Sequence, residues 1–368
     1  MILNVSPVNA MEPSSNNFVT EFSKLADQGD AKAQFGFGLA YIKGDGVIKD
    51  EAEAVKWFFK AADQGFAQAQ LALGLYYSTG DGVIMDKVEA LKWFRKAADQ
   101  GLAYAQFRIG LCYSKGDGVI KDEVEALKWF RKAADQGFAQ AQFRIGLCYG
   151  KGDGVIKNEV EAVKWLRKAA ELGLAQAQLS LGCCYSESLG VRKDDVEAAK
   201  WFRKAAEQGN SRAQNNLGCC YGKGEGVGMD NEEAVKWFRK AADQGYVKAQ
   251  NTLGLRCRIG KGVLKDEVEA AKWFRKAAEQ GDARAQKLLG QCYVIGQGVE
   301  KDGVEAVKWF RKSADQGFVG GQIKLWECYK KGIGVEKDDV EALKWGRKAV
   351  SQILPRIWKW FRSKMGLE

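Results

Sequence analysis

Pairs of acidic side chains recur along the sequence, and paired carboxylates are groups that acid–base catalysis and divalent metal binding use. In nine places an Asp or Asn is followed three residues later by a Glu. The pairs are Asp50/Glu53, Asp86/Glu89, Asp122/Glu125, Asn158/Glu161, Asp194/Glu197, Asp230/Glu233, Asp266/Glu269, Asp302/Glu305 and Asp338/Glu341. Nine equal copies do not suit a single catalytic centre. The spacing is that of a capping box, in which the first side chain accepts N–H groups of a starting helix and the Glu reaches back to the cap N–H. We therefore interpret the pairs as helix caps.

Cysteines could supply a nucleophile, metal ligands or disulfides, and the chain has nine of them. The chain has no histidine, which excludes Ser–His and Cys–His nucleophile pairs and histidine metal ligation. Six cysteines share one repeated position directly before a Tyr, two lie one residue earlier, and Cys257 takes the Tyr position. Equivalent positions of stacked helices lie about 8–10 Å apart, beyond the ~7 Å limit for a disulfide. We expect reduced, buried thiols, no catalytic residue, no cofactor and no metal.

A G-x-G sequence recurs as well, for example at Gly80 and Gly82, and glycine-rich loops can cradle phosphate. No strand precedes it and no Lys-Ser/Thr pair follows it, so the pattern predicts a turn between helices.

The elements that carry these residues repeat every 36 residues, because a tryptophan falls at that interval from Trp57 to Trp345 without a slip. In the stretch 66–101, Leu73 and Tyr77 lie on one face of a first helix, and Phe94 lies on a second helix. Gly74 removes a side chain where the two helices must come close. Such helix pairs bury their apolar faces only by stacking, which predicts a repeat array.

The repeated pattern A-x-A-Q-x-x-L-G-x-x-Y-x-x-G-x-G-V-x-x-D-x-x-x-A-x-x-W-x-x-K-A-A-x-Q-G resembles the Sel-one-like repeat (SLR), a relative of tetratricopeptide repeats. The resemblance implies an all-α fold, an α/α solenoid wound as a right-handed superhelix, with the first helices lining a concave groove. It also implies a non-enzymatic adaptor that assembles other proteins, in bacterial signalling or in contact with host cells. The expected segments are a disordered tail (1–16), a half-repeat helix (17–29), nine repeats (30–65, 66–101, 102–137, 138–173, 174–209, 210–245, 246–281, 282–317 and 318–353) and a C-terminal capping helix (354–368).

Composition and charge agree with one elongated domain. Hydrophobic residues make up 46% of the chain, and no apolar run approaches the ~20 residues of a membrane span. The start lacks the basic and apolar regions of a secretory signal, so we expect a cytoplasmic protein or one delivered into a host cell. The net charge of +10 is spread over the repeats, which favours a solvated face over a nucleic-acid surface. Residues 354–368 either cap the last repeat or contact a membrane surface.

Partner recognition should fall to first-helix positions that differ between repeats. The residues expected in the groove are Phe35, Leu71, Leu75, Tyr104, Phe107, Leu111, Phe143, Leu147, Arg212, Asn215, Lys248, Asn251, Arg258, Arg284 and Lys287. They change from apolar to basic along the chain, which suits a protein or peptide with an apolar and an acidic part. The alternative is that Phe107 and its equivalents pack between helices and that the basic residues are surface variation.

Three functions are compatible with the sequence. The first is a monomeric protein-interaction scaffold. The second is a β-lactam-binding or weak β-lactamase-like protein, as a cysteine-rich SLR subgroup implies, although this chain has no Ser-x-x-Lys sequence. The third is RNA binding, which predicts steep salt dependence.

Overall fold

The computed structural model describes the backbone of residues 16–364 and the side chains of residues 22–355. Residues 1–15 of the predicted tail, and the side chains of Trp358 and Trp360, lie outside the described residues. The described residues form nineteen α-helices and no strand. The helices are α1 (Asn16–Asp27), α2 (Ala31–Lys43), α3 (Glu51–Asp63), α4 (Ala67–Thr79), α5 (Lys87–Asp99), α6 (Ala103–Lys115), α7 (Glu123–Asp135), α8 (Ala139–Lys151), α9 (Glu159–Glu171), α10 (Ala175–Glu187), α11 (Asp195–Glu207), α12 (Ser211–Lys223), α13 (Asn231–Asp243), α14 (Val247–Ile259), α15 (Glu267–Glu279), α16 (Ala283–Ile295), α17 (Gly303–Asp315), α18 (Val319–Lys331) and α19 (Asp339–Lys364).

The helices form nine pairs, one for each 36-residue repeat. The even-numbered helices α2 to α18 are the first helices, and the odd-numbered helices α3 to α19 are the second helices. Contacts run between neighbours in sequence, as between α2 and α3 and between α3 and α4. The predicted α/α solenoid is confirmed, and α1 occupies the place of the leading half-repeat. No described helix combines the length and the apolar character that crossing a membrane requires.

The chain divides into two compact units, an N-terminal unit of residues 1–177 and a C-terminal unit of residues 178–368. We number the repeats in chain order, so that repeat 1 is 30–65 and repeat 9 is 318–353. Repeats 1 to 4 lie in the N-terminal unit and repeats 6 to 9 in the C-terminal unit, and the boundary falls within α10.

Every second helix begins after the predicted cap residue, but only half of the predicted capping box forms. Asp50 Oδ1 accepts the N–H of Glu53 at 3.0 Å. The Glu53 carboxylate does not reach back, because it pairs with Lys56 at 2.7 Å. The N–H of Asp50 instead donates to the carbonyl of Tyr41 at 3.1 Å. The reciprocal Glu contact was therefore a wrong prediction, since a carbonyl of the preceding helix already satisfies the cap N–H.

The repeated tryptophans belong to the core. Trp57 is 6% exposed and Trp345 3%, and among the nine only Trp165 is partly rather than fully buried. A lysine three residues later covers each indole. Lys60 Nζ lies 3.5 Å from the ring centroid of Trp57, and Lys348 Nζ lies 4.4 Å from that of Trp345. These contacts are cation–π interactions that also shield the indole face from water.

The repeated glycine of the first helices allows close helix contact, as predicted. A Cβ at Gly74 would overlap the ring of Phe94 and would lie 3.1 Å from the carbonyl oxygen of Ala90. Phe94 is fully buried, so the glycine makes room for a large aromatic side chain of the core.

A ladder of glutamines joins successive helices along the repeats. Gln34 is 5% exposed; its Nε2 donates to the carbonyl of Ala26 at 3.1 Å, and its Oε1 accepts from Nε2 of Gln64 at 2.8 Å. The same pairing at 30 residues' separation recurs in both compact units. The further pairs are Gln70/Gln100, Gln106/Gln136, Gln178/Gln208, Gln214/Gln244, Gln250/Gln280 and Gln286/Gln316. In seven repeats the ladder satisfies a buried amide and joins the first helix to the second helix of the same repeat.

The turn inside each repeat presses against the preceding repeat. Gly118 has a φ of +71°, and a Cβ there would overlap the carbonyl of Lys87 at the start of α5. Gly154 makes the same close approach to Glu123 at the start of α7. Glycine is needed at this turn both for its left-handed backbone and for the missing side chain.

The C-terminal segment differs from the prediction of a separate capping helix that begins at Pro355. The second helix of repeat 9, α19, continues through Pro355 to Lys364 as one element. The ring of Pro355 lacks an N–H, but the helix accommodates the loss of this single backbone bond.

Candidate protein interaction site

The acidic pairs lie at the starts of the second helices. Their Asp or Asn side chains cap helices, and most of their Glu side chains pair with a lysine of the same helix, as Glu125 does with Lys128 at 2.9 Å. In the part of the chain that the structure describes, no three Cys, Asp or Glu side chains are grouped so as to hold a metal ion.

Six of the nine cysteines are buried, and Cys183, Cys184 and Cys219 are partly exposed. Cys112 and Cys148 are buried and free of disulfides. Burial raises the pKa of Cys148 to about 11 and that of Cys220 to about 12, because the thiolate would lose its hydration. A neutral thiol is a poor nucleophile and a poor metal ligand, so these positions are structural.

Part of the predicted apolar groove is buried core. Leu71, Leu75 and Phe107 are 3%, 5% and 9% exposed. Leu71 and Leu75 pack with Phe94 of the second helix and with residues of the next repeat, and the ring of Phe107 lies 5.2 Å from that of Phe138. The prediction that these three side chains line an open groove was therefore wrong, because the first helix is apolar toward the next repeat as well as toward its own second helix.

The other apolar candidates are partly buried and keep some exposed surface. Phe35 packs on Phe58 with ring centroids 5.4 Å apart, and Tyr104 and Leu111 pack against the core of repeats 3 and 4. Phe143 and Leu147 are partly exposed. Contact of these five residues with a partner stays a prediction.

Two polar candidates in the C-terminal unit are also buried. Asn215 and Asn251 occupy the position of Leu71 and are 8% and 7% exposed. The Oδ1 atom of each is buried without a hydrogen-bond partner. They do not present a polar surface, so their prediction as groove residues needs correction. This position of the first helix is buried in repeats 2, 3, 5, 6 and 7.

The basic candidates are exposed or half-buried, and three of them come together. Arg212, Lys248 and Arg284 are exposed, and Arg258 and Lys287 are partly exposed. Arg258, Arg284 and Lys287 lie near one another, and the structure adds Lys324, which the sequence did not single out. We call Arg258, Arg284, Lys287 and Lys324 the basic cluster. It spans α14, α16 and α18, which are successive first helices.

The basic cluster has more positive charge than its surroundings neutralise. Burial lowers the pKa of Lys287, and the charges of Arg258, Lys324 and Arg284 lower it further. Lys324 pairs with Glu327 at 2.7 Å. Within the described part of the chain, no ion pair to a carboxylate joins Arg258, Arg284 or Lys287. The cluster therefore holds cations that repel one another, and an anionic group placed among them would be stabilised.

A cleft of about 280 Å³ adjoins the basic cluster. Arg258, Lys324 and Glu327 provide its polar lining, and Val294 and Phe310 are among its apolar walls. The cleft offers an apolar contact beside the cations, which suits a side chain of a bound peptide better than a free ion.

The sequence analysis did not recognise the glutamines of the ladder or Lys324, although the sequence held a signal for the glutamines. The glutamines of the ladder recur at fixed positions with a separation of 30 residues, and a search for polar residues at constant spacing would have found them. Lys324 carried no such signal, because its position holds Ala72, Arg108 and Leu288 in other repeats.

The profile of the Sel1 repeat family matches the chain nine times. The matched stretches are residues 31–66, 67–102, 103–138, 139–174, 175–210, 211–246, 247–282, 283–318 and 320–352. The chain belongs to the Sel1 repeat family. The resemblance to Sel-one-like repeats is thus confirmed; the first eight matched stretches lie one residue later than expected, and the ninth covers 320–352 of the expected 318–353. Sel1 repeat proteins are generally protein-interaction scaffolds, and their fold is typically non-enzymatic.

Two solved Sel1-type structures are similar to the chain over most of its length. One is a protective antigen present in uropathogenic Escherichia coli strains and displaying an SLR fold, with 38% identity, 89% of this chain and 78% of that chain covered, and a TM-score of 0.66. The other is a Sel1 repeat protein from Oxalobacter formigenes, with 35% identity, 86% and 96% coverage, and a TM-score of 0.64. No curated protein sequence matches the chain.

Proposed function

We propose that this Sel1 repeat protein is a non-enzymatic scaffold that binds an acidic segment of a partner protein at the basic cluster. The observation that carries the proposal is that Arg258, Arg284 and Lys287 have no carboxylate partner among the described residues. Burial lowers the pKa of Lys287, and the charges of Arg258, Lys324 and Arg284 lower it further. A carboxylate bound among these cations would reduce their mutual repulsion, which favours binding.

The apolar cleft beside the cluster extends the proposal to a mixed partner. Val294 and Phe310 lie beside Arg258 and Lys324, so an acidic residue followed by an apolar one would satisfy both surfaces. The similarity to the protective antigen of uropathogenic E. coli supports a bacterial protein that acts in signalling or at contact with host cells.

Binding of a fluorescent peptide of alternating Glu and Leu tests the proposal. Arg258→Glu combined with Lys287→Glu should raise the dissociation constant at least about tenfold, because two attractive charges become repulsive. The control is Lys261→Glu combined with Lys272→Glu, which changes the net charge equally with exposed lysines of the C-terminal unit outside the cluster. Equal weakening in both variants would show that only net charge matters and would contradict a site at the cluster.

The lowered pKa of Lys287 gives the binding a pH dependence. As pH rises, Lys287 loses its proton before ordinary lysines do, so affinity for the acidic peptide should fall before other lysines titrate. A Gln/Leu peptide of the same length should show no such dependence in anisotropy titrations. Turnover of a chromogenic β-lactam by the purified protein would contradict the non-enzymatic part of the proposal.

A further inference from the structure

Four isoleucines in the N-terminal unit are almost fully exposed at one repeated position. Ile48, Ile84, Ile120 and Ile156 lie two residues before the cap of each second helix and are 88–89% exposed. Single exposed apolar residues are common on protein surfaces, but four consecutive repeats with the same exposed side chain are a pattern.

Exposed valines lie close to the turns that precede Ile120 and Ile156. Val88, Val124 and Val160 follow the caps and are 53–55% exposed. The glycine turns fix how the repeats adjoin: a Cβ at Gly118 would lie 2.8 Å from the backbone N of Val88, and one at Gly154 would lie 2.9 Å from that of Val124. Ile120 and Ile156 follow these glycines by two residues, so each isoleucine lies near the valine of the preceding repeat.

We call these four isoleucines and three valines the apolar edge. The fold does not require it. The position of Ile84 holds Arg192, Gly228 and Glu300 in later repeats, where the same turn and the same Asp cap form. The C-terminal unit keeps one apolar residue there, Leu264, which is 88% exposed and has no apolar neighbour at the same position in the repeats on either side.

The charges that flank the apolar edge are balanced. Lys87 pairs with Asp117 at 2.6 Å, Lys121 with Glu123 at 3.0 Å, and Lys157 with Glu159 at 2.8 Å. An edge of neutralised charges does not attract an anionic membrane or a nucleic acid, which are bound by unpaired cations. Each pair places one cation and one carboxylate beside the edge, so a second copy in antiparallel orientation can set its carboxylates against the cations of the first.

We infer that the apolar edge joins two copies of this chain in an antiparallel, two-fold dimer. A partner must present apolar side chains at the spacing of the repeats, and a second copy has that spacing by construction. Two-fold symmetry places Ile84 of one copy opposite Ile120 of the other, and Ile48 opposite Ile156, so that the apolar edge is complementary to itself. The two-fold symmetry also brings the Lys–carboxylate pairs of one copy beside those of the other. The proposed dimer departs from the monomer that the sequence led us to expect.

Sedimentation of the full chain over roughly a hundredfold range of concentration tests the dimer. The protein should shift from monomer to dimer, and Ile84→Arg combined with Ile120→Arg should raise the dimer dissociation constant at least about tenfold. Arginine is accepted by the fold at this position, as Arg192 shows. Leu264→Arg, the same change at the same repeat position in the C-terminal unit, should leave the dimer intact. Unchanged melting temperatures would verify that each variant is folded.

Cross-linking locates the contact independently. A photoreactive benzoylphenylalanine in place of Ile120 should capture a second copy near residue 84. A wild-type protein that stays monomeric throughout the concentration range overturns the inference, as does capture at residues of the C-terminal unit. If the monomer instead binds neutral phosphatidylcholine vesicles through Ile84 and Ile120, the edge is a lipid contact and the dimer is excluded. Peptide binding at the basic cluster is measured separately, so neither result depends on the other.

Discussion

A single residue can change the hydrogen bonding of a whole repeat. The position of Cys257 holds a tyrosine in the other eight repeats, and in several of them its hydroxyl accepts from an arginine of the second helix before it, as Tyr113 does from Arg95 at 3.0 Å. Without that hydroxyl, Arg239 pairs with Glu269 at 2.6 Å, and Glu269 also accepts from Nε1 of Trp273 at 3.1 Å.

Buried protonated groups should make the protein sensitive to alkali. Burial raises the pKa of Cys220 from 9.0 to about 12 and that of Tyr76 from 10.0 to about 12. The unfolded chain loses these protons at the ordinary pKa and the folded chain at the raised one. Their contribution to stability is therefore complete below about pH 9 and is lost as pH rises toward 12. Melting temperatures measured across this window should fall, and Cys220→Ala should make the fall shallower. A slope unaffected by Cys220→Ala would assign the effect to other groups.

At the scale of the element, the glutamine ladder has a gap in repeat 4 and another at Gln322 in repeat 9, whose Oε1 atom is also buried without a partner. The second-helix position of Gln64 and Gln100 is Leu172 in repeat 4, and the Oε1 atom of Gln142, which would accept from it, is buried without a partner. An unsatisfied buried carbonyl destabilises the fold, and the absence of this one glutamine explains it.

Closing the gap in repeat 4 should stabilise the protein. Leu172→Gln should raise the free energy of unfolding by about 1 kcal/mol, the net value of one hydrogen bond, because Leu172 is itself exposed and loses little packing. Urea unfolding measures the change. Leu172→Ala is the control, since it removes the leucine without supplying an amide. A similar gain in both variants would mean that loss of the exposed leucine, and not the ladder, is responsible.

At the scale of the whole molecule, stability should be local. Described helix contacts link neighbouring helices and neighbouring repeats, so each repeat depends on the ones beside it. Trp201 is 7% exposed, and Trp201→Ala should lower the free energy of unfolding by about 3–5 kcal/mol through the cavity it leaves.

Hydrogen exchange distinguishes local from global loss. Amides of repeats 4 to 6 should exchange faster in Trp201→Ala, while those of repeats 1 and 9 keep their protection. Uniform acceleration along the chain would show that the array unfolds as one cooperative body.

The helices, their caps and their packing residues could be predicted from the sequence because the same residues recur at the same positions of successive repeats. Nine copies of the caps and of the tryptophan, and eight copies of the helix glycine, left one interpretation for each. The candidate site was harder, since both sides of a first helix are apolar and periodicity does not say which side Leu71 or Phe107 faces. The basic cluster depends on distances between helices of different repeats, and Lys324 joins it from a position with no fixed residue type.

The contact of each turn with the preceding repeat has an evolutionary consequence. A methyl group at Gly118 already collides with the backbone of α5, so a longer turn has no room there. Insertions, which loops of most proteins tolerate, should be rejected at these turns. The uninterrupted interval of 36 residues is then the mark of selection against changes in loop length, and new functions in this array can arise by substitution or by gain of whole repeats, but not by loop growth at that turn.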